Sequence, residues 1–158
     1  MREGSRIGID PGTVRIGVAR CDAPAVLAVP LVTVHAGGTA IGELAALAAQ
    51  WEVIEVIVGL PLTLSGRVGP AAASATAFAR ELACEVAPVP VRLVDERLTT
   101  AASQKHLRQA GRNSRDSRKV QDQAAAVAIL QNALDTERAT GTPAGVAVDP
   151  IGSSEETT

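Results

Sequence analysis

Short runs rich in valine and isoleucine alternate along this chain with segments whose apolar residues recur every three to four positions. That alternation restricts the fold to a sheet with helices laid on it, because β-branched strands and amphipathic helices bury their apolar faces against each other. Residues 6–9 form a first run, closed by Asp10-Pro11-Gly12-Thr13, where Pro and Gly suit a type II turn. Residues 14–19 then read as the second arm of a hairpin. Residues 26–34 are apolar but contain Pro30, which predicts an edge strand or a bent one. Ile41, Leu44, Leu47, Ala48 and Trp51 predict an amphipathic helix, and residues 53–59 a strand that runs into a loop over 60–70. Ala75, Phe78, Ala79, Leu82 and Val86 line one face of a further helix, followed by a strand over 89–95. Thr99 or Thr100 can cap a helix that stops near Gly111, and a last helix spans 117–138.

The 158 residues suffice for one such domain, placed here at 1–138. Residues 139–158 hold no Lys or Arg and are dominated by Thr, Gly, Ala, Ser and Pro, which predicts a disordered tail. The fold class is therefore α/β, a single domain with a mixed sheet flanked by helices. No stretch approaches the length of a membrane span, and no signal-peptide pattern opens the chain, so the expected location is cytoplasmic. Cys21 and Cys84 are too few and too far apart for a disulfide framework or a zinc site, and both are expected as buried small apolar residues.

Aromatic residues make up 1% of the chain. That argues against modules that read single strands by stacking bases on rings. Trp51 ends a helical apolar face and reads as core. His35 and His106 have no partner at ligand spacing and read as surface or partly packed residues.

Candidate chemistry comes from acids that close strands. Asp10 ends the first run, and Asp95-Glu96 closes another. Ligand sites of α/β sheets form at the carboxyl ends of strands, so such acids can converge. Successive strand residues point to opposite faces, so one of Asp95 and Glu96 faces the site, and the sequence leaves open which. Asp122 lies early in the last helix, followed by Ala124, Ala125 and Ala126, whose small side chains let the helix lie close to a sheet. Carboxylates from distant segments make an oxygen-rich site suited to Mg²⁺ or Mn²⁺ rather than zinc, with Asp10, Glu96 and Asp122 the expected ligands. Such ions activate water and stabilise the leaving oxygen in phosphodiester cleavage. Gly59 closes a strand before Pro61, where a glycine permits close approach of backbone to phosphate.

The net charge of −2 gives no global sign of a nucleic-acid binder, so that function must rest on local charge. Between Arg97 and Lys119 lie seven basic residues (Arg97, Lys105, Arg108, Arg112, Arg115, Arg118 and Lys119) against one acid, Asp116. The stretch carries about +6 and joins Asp95-Glu96 to Asp122, where a phosphate backbone needs positive charge.

Four blocks, RIGIDPGTVRIGVA at 6–19, VIVGLPLTLSG at 56–66, VRLVDERLTT at 91–100 and VQDQAAAVAIL at 120–130, resemble in order and spacing the YqgF-type candidate pre-16S ribosomal RNA nucleases, also called RuvX. The resemblance implies a ribonuclease H-like fold, a cytoplasmic hydrolase, and metal-dependent cleavage of phosphodiester bonds in maturing the 5′ end of 16S ribosomal RNA. It equally implies kinship with Holliday-junction resolvases, so branched DNA stands as the alternative substrate, as does a weakly catalytic nucleic-acid-binding module. By motif, Asp10, Asp95, Glu96 and Asp122 match the family's catalytic acids, and Gly12, Thr13, Gly59, Pro61 and Arg97 match other signature positions. Arg112, Arg115, Arg118 and Lys119 are the expected phosphate contacts. A homodimer is left open. The first block also resembles the phosphate loop of actin-like ATPases and sugar kinases, which need two such domains where this chain has room for one.

Overall fold

In the computed structural model, which describes residues 1–98 and 115–151, the chain forms a six-stranded sheet in the order β3-β2-β1-β4-β5-β6. The strands are β1 (Arg6–Asp10), β2 (Arg15–Cys21), β3 (Ala28–His35), β4 (Glu55–Leu60), β5 (Val91–Asp95) and β6 (Val146–Ala147). The helices are α1 (Ala40–Gln50), α2 (Pro70–Val86) and α3 (Arg115–Thr140), with a single 3₁₀ turn at Glu96–Leu98. β1 pairs antiparallel with β2 and parallel with β4, β4 pairs parallel with β5, and β2–β3 and β5–β6 are antiparallel.

β1 is buried along its whole length and β4 along all but its last residue. Their near-continuous apolar character fits central strands covered on both faces. On one face Ile7, Ile9, Val18, Val56 and Val58 pack against Leu44 of α1 and Leu82 of α2. On the other face Ile57 and Val94 pack against Ala125, Ala126, Ile129 and Leu130 of α3. α2 starts with Pro70 in its first turn, where a missing N–H costs nothing. Pro30 lies on the outer strand β3, as its lack of an N–H requires, and Leu31 bulges there between the pairs Val18–Val32 and Ala19–Pro30.

At the end of the sheet where β1 and β4 begin, Arg6 (1% exposed) donates to Glu137, and Arg2 donates to both Glu137 and Glu55. This buried network ties the chain's start to the last turns of α3. Burial pushes the Glu137 carboxyl up, but its hydrogen bonds from Arg2 outweigh that and hold it below the ordinary carboxylate value.

The structure departs from the sequence expectations in three places. The turn at Asp10-Pro11-Gly12-Thr13 is not type II, since Gly12 lacks the positive φ that type requires. A glycine is needed there for another reason: a β-carbon on it would stand 2.1 Å from the Arg15 carbonyl oxygen. Of the stretch after Arg138, expected as a disordered tail, residues 152–158 lie outside the described residues, and residues 139–151 continue α3 to Thr140, bury Ala144 and add β6 to the edge of β5. Arg92 holds them by donating to the carbonyls of Ala144 and Gly145, both at 2.7 Å. Composition concealed this because backbone pairing at a sheet edge needs no apolar side chains. Cys21 is buried as expected, whereas Cys84 is exposed, because Leu82 and Ala83 take the inward positions of that turn of α2. Trp51 packs against the core, with the Arg20 guanidinium 4.1 Å from its ring centre. The helix expected over 99–110, with His106, lies outside the described residues.

Candidate active site

Alternation along the central strands decides which acids share a side. Ile7 and Ile9 face α1 and α2, so Asp10 points to the α3 side, as does Gly17, its partner in the antiparallel register. Gly17 lets α3 come close. A β-carbon there would stand 2.1 Å from the Asp122 carbonyl oxygen, so no larger residue fits without moving the helix. Asp122, early in α3, is thereby set beside the end of β1 that carries Asp10. Both are buried, at 3% exposure for Asp10 and 7% for Asp122.

The acids after β5 separate. Glu96 is 3% exposed, and its Oε1 stands 2.6 Å from the point that a β-carbon on Gly59 would occupy, with Ile129 of α3 equally near. Glu96 therefore lies on the α3 side with Asp10 and Asp122. The space above Gly59, expected for a phosphate, is filled by this carboxylate and by Ile129. Asp95 turns away. It accepts from Arg97 Nε at 3.1 Å on each carboxylate oxygen, from Nη2 at 2.7 Å and from the Arg97 backbone N–H at 2.9 Å. The Arg97 side-chain hydrogen bonds hold the Asp95 carboxyl below its ordinary value. Arg97 also reaches the carbonyl of Leu64, in the loop after β4, at 3.4 Å.

Asp122 has a partner that the sequence pattern did not single out: Arg15 Nε donates to its Oδ2 at 2.9 Å. Arg15 opens β2 two residues before Gly17 and so shares its side of the sheet. The signal was present in the strand period, but only the crossing of α3 over β2 shows what the side chain meets. As a donor set, three buried carboxylates on one side suit a hard divalent cation and no softer one. Among the described residues, no group of three His, Cys, Asp or Glu is gathered closely enough to hold an ion as it stands.

Gly12, Thr13 and Pro61 come together elsewhere. With Pro11, Ser74 and Phe78 they line a cleft of about 370 Å³ on the α2 side, and none of the four acids borders it. Arg112 lies outside the described residues, as do the side chains of Arg115, Arg118 and Lys119, whose backbone belongs to α3. Among the described residues, no helix is long and apolar enough to cross a membrane.

The sequence profile of the RuvX family, described as Holliday junction resolvase, matches residues 4–136. A protein of Nocardioides sp. named as a candidate pre-16S rRNA nuclease is 55% identical over 154 residues, covering 94% of this chain and 99% of its own. One of Thermobifida fusca with the same name is 51% identical over 156 residues, covering 94% and 98%. Among solved structures, RuvC of Thermus thermophilus in complex with Holliday junction substrate aligns with a TM-score of 0.54 at 18% identity, over 91% of this chain and 99% of that one. This likeness extends the sheet and helix order to the ribonuclease H-like fold. On the family match and the close relatives together, the chain belongs to the RuvX family.

Proposed function

We propose that this protein is a cytoplasmic, divalent-metal-dependent endonuclease that cuts phosphodiester bonds of precursor 16S ribosomal RNA. The observation that carries the reading is the burial of Asp10, Glu96 and Asp122 on one side of the sheet, delivered by three separate segments of a family whose close relatives carry that nuclease name. Three carboxylates on one side of a sheet are the oxygen donor set that a hard divalent cation takes.

Asp10, Glu96 and Asp122 would hold the metal. A bound Mg²⁺ or Mn²⁺ supplies the charge that activates water and stabilises the leaving oxygen. The chain's own residues do the positioning. Gly59 leaves the room in which Glu96 is held against Ile129, and Gly17 brings the Asp122 backbone onto β2. Asp95 orients Arg97 at the mouth of the loop after β4, where a guanidinium can meet a phosphate. The basic stretch from Arg97 to Lys119, including Arg112, Arg115, Arg118 and Lys119, supplies further phosphate contacts that fix position without reading sequence. Gly12, Thr13 and Pro61 line a separate cleft on the α2 side, which Asp10, Glu96 and Asp122 do not border.

Branched DNA is the second reading, favoured by the family description as Holliday junction resolvase. One experiment separates the two: purified protein is given precursor 16S ribosomal RNA and a four-way DNA junction, each in Mg²⁺ and in Mn²⁺. The expected result is cleavage of the RNA near the mature 5′ end, lost in Asp10→Asn and Asp122→Asn proteins that unfold at wild-type temperature. Cleavage of the junction alone transfers the activity to DNA. Cleavage of neither substrate, or full activity in either variant, overturns the nuclease reading at this site.

A further inference from the structure

Arg15 and the proposed metal compete for the same carboxylate. The guanidinium sits on Asp122 Oδ2 through Nε, its side chain 27% exposed and that of Asp122 10%. A divalent ion bound at the same oxygen would repel the guanidinium across a short and poorly screened distance. We propose that Arg15 is a metal-displaced phosphate ligand: it neutralises Asp122 in the metal-free protein, is driven off when a divalent ion binds, and then takes a phosphate oxygen of the nucleic acid beside that ion. The proposal rests on the nuclease reading above and gives Arg15 a role that reading does not contain.

Three features support the exchange. Arg15 is the first residue of β2, adjoining the exposed turn of Gly12, Thr13 and Val14, so its side chain has space to swing without disturbing the buried run that begins at Ile16. It lies on the α3 side with Asp10, Glu96 and Asp122, so the phosphate it would meet is one held at the metal. Its planar fork of donors binds phosphate as readily as carboxylate, which lets one side chain serve both states.

The exchange couples metal to substrate. Without nucleic acid, a divalent ion must displace Arg15 and leave the guanidinium without its anion. With nucleic acid, the phosphate receives it. Nucleic acid therefore raises metal affinity, and by linkage metal raises nucleic-acid affinity by the same factor.

The test is calorimetric titration of Mn²⁺ into the wild-type protein and into Arg15→Gln and Arg15→Ala proteins, with and without an RNA duplex that the protein does not cut. The expected result is that both variants bind Mn²⁺ about three- to fivefold more tightly than wild type in the absence of RNA. RNA should raise Mn²⁺ affinity in the wild type by a larger factor than in either variant. In the presence of Mn²⁺ the variants should lose about 0.7–0.9 from the slope of log affinity for RNA against log salt, and nothing in its absence. Unchanged or weaker Mn²⁺ binding in Arg15→Gln, or a slope difference independent of Mn²⁺, overturns the proposal. If neither variant folds, a wild-type Mn²⁺ affinity unaffected by RNA overturns it alone. Wild-type protein that neither binds Mn²⁺ nor cleaves RNA overturns the nuclease reading as well. Wild-type protein that does both while the variants match it overturns the role of Arg15 only.

Discussion

The Glu96 carboxylate lies over Gly59, with Oε1 2.6 Å from where any β-carbon at that position would stand. Ile129 closes the same space from α3. A methyl group at 59 must therefore displace the carboxylate or the helix. Gly59→Ala should lower cleavage more than about tenfold through the shift of Glu96, and cost about 1–3 kcal/mol through overpacking. Single-turnover cleavage and urea unfolding check the two effects separately. A Gly59→Ala protein that cleaves at the wild-type rate places Glu96 outside the reaction.

Asp95 and Glu96 are adjacent but differ in what they touch, so their amides should differ in kind. Glu96→Gln should abolish cleavage. Asp95→Asn loosens Arg97 without reaching the buried acids, and should raise KM about two- to fivefold with kcat retained. Steady-state kinetics on one substrate decides this. Equal loss of kcat in both variants would return Asp95 to the site.

Glu137 makes stability depend on pH. Its folded carboxyl titrates below the ordinary value because hydrogen bonds from Arg2 outweigh burial. Its contribution is therefore complete above the ordinary carboxylate value of about 4.3 and is lost as pH falls through the lowered one. Glu137→Gln leaves Arg6 buried beside a neutral partner and should cost about 3 kcal/mol at neutral pH. The gap from wild type should narrow as pH drops below about 4. Urea unfolding across that range checks both the size and the sign.

Truncation after Arg138 removes β6 and its fastenings. Arg92 loses two carbonyl acceptors, and the hydrogen bond from Val148 N–H to the Val91 carbonyl at 2.9 Å is lost. At about 1 kcal/mol for each of these bonds, the shortened chain should be about 3 kcal/mol less stable. Thermal unfolding measures this. Wild-type stability in the shortened chain would show that β6 adds nothing to the sheet.

What the sequence determined by itself was the strands β1 to β5 and the helices α1 to α3, the placing of Asp10 and of Asp95-Glu96 at strand ends, and the rule that the latter two point to opposite faces. These are local properties: β-branched runs, a two-residue strand period and a 3.6-residue helix period are written in neighbouring residues. The family resemblance added the order of the four blocks. Only the tertiary structure decided that Glu96 is the buried acid, because that depends on the space over Gly59, supplied by a strand some forty residues earlier, and on Ile129 from a later helix. The pairing of Arg15 with Asp122 has the same origin, since α3 meets β2 only after the whole sheet is assembled. Residues 139–151 were misjudged for a related reason. Their composition has little to bury, but the edge of β5 offered unpaired backbone groups, and hydrogen bonding at an edge is indifferent to side-chain polarity.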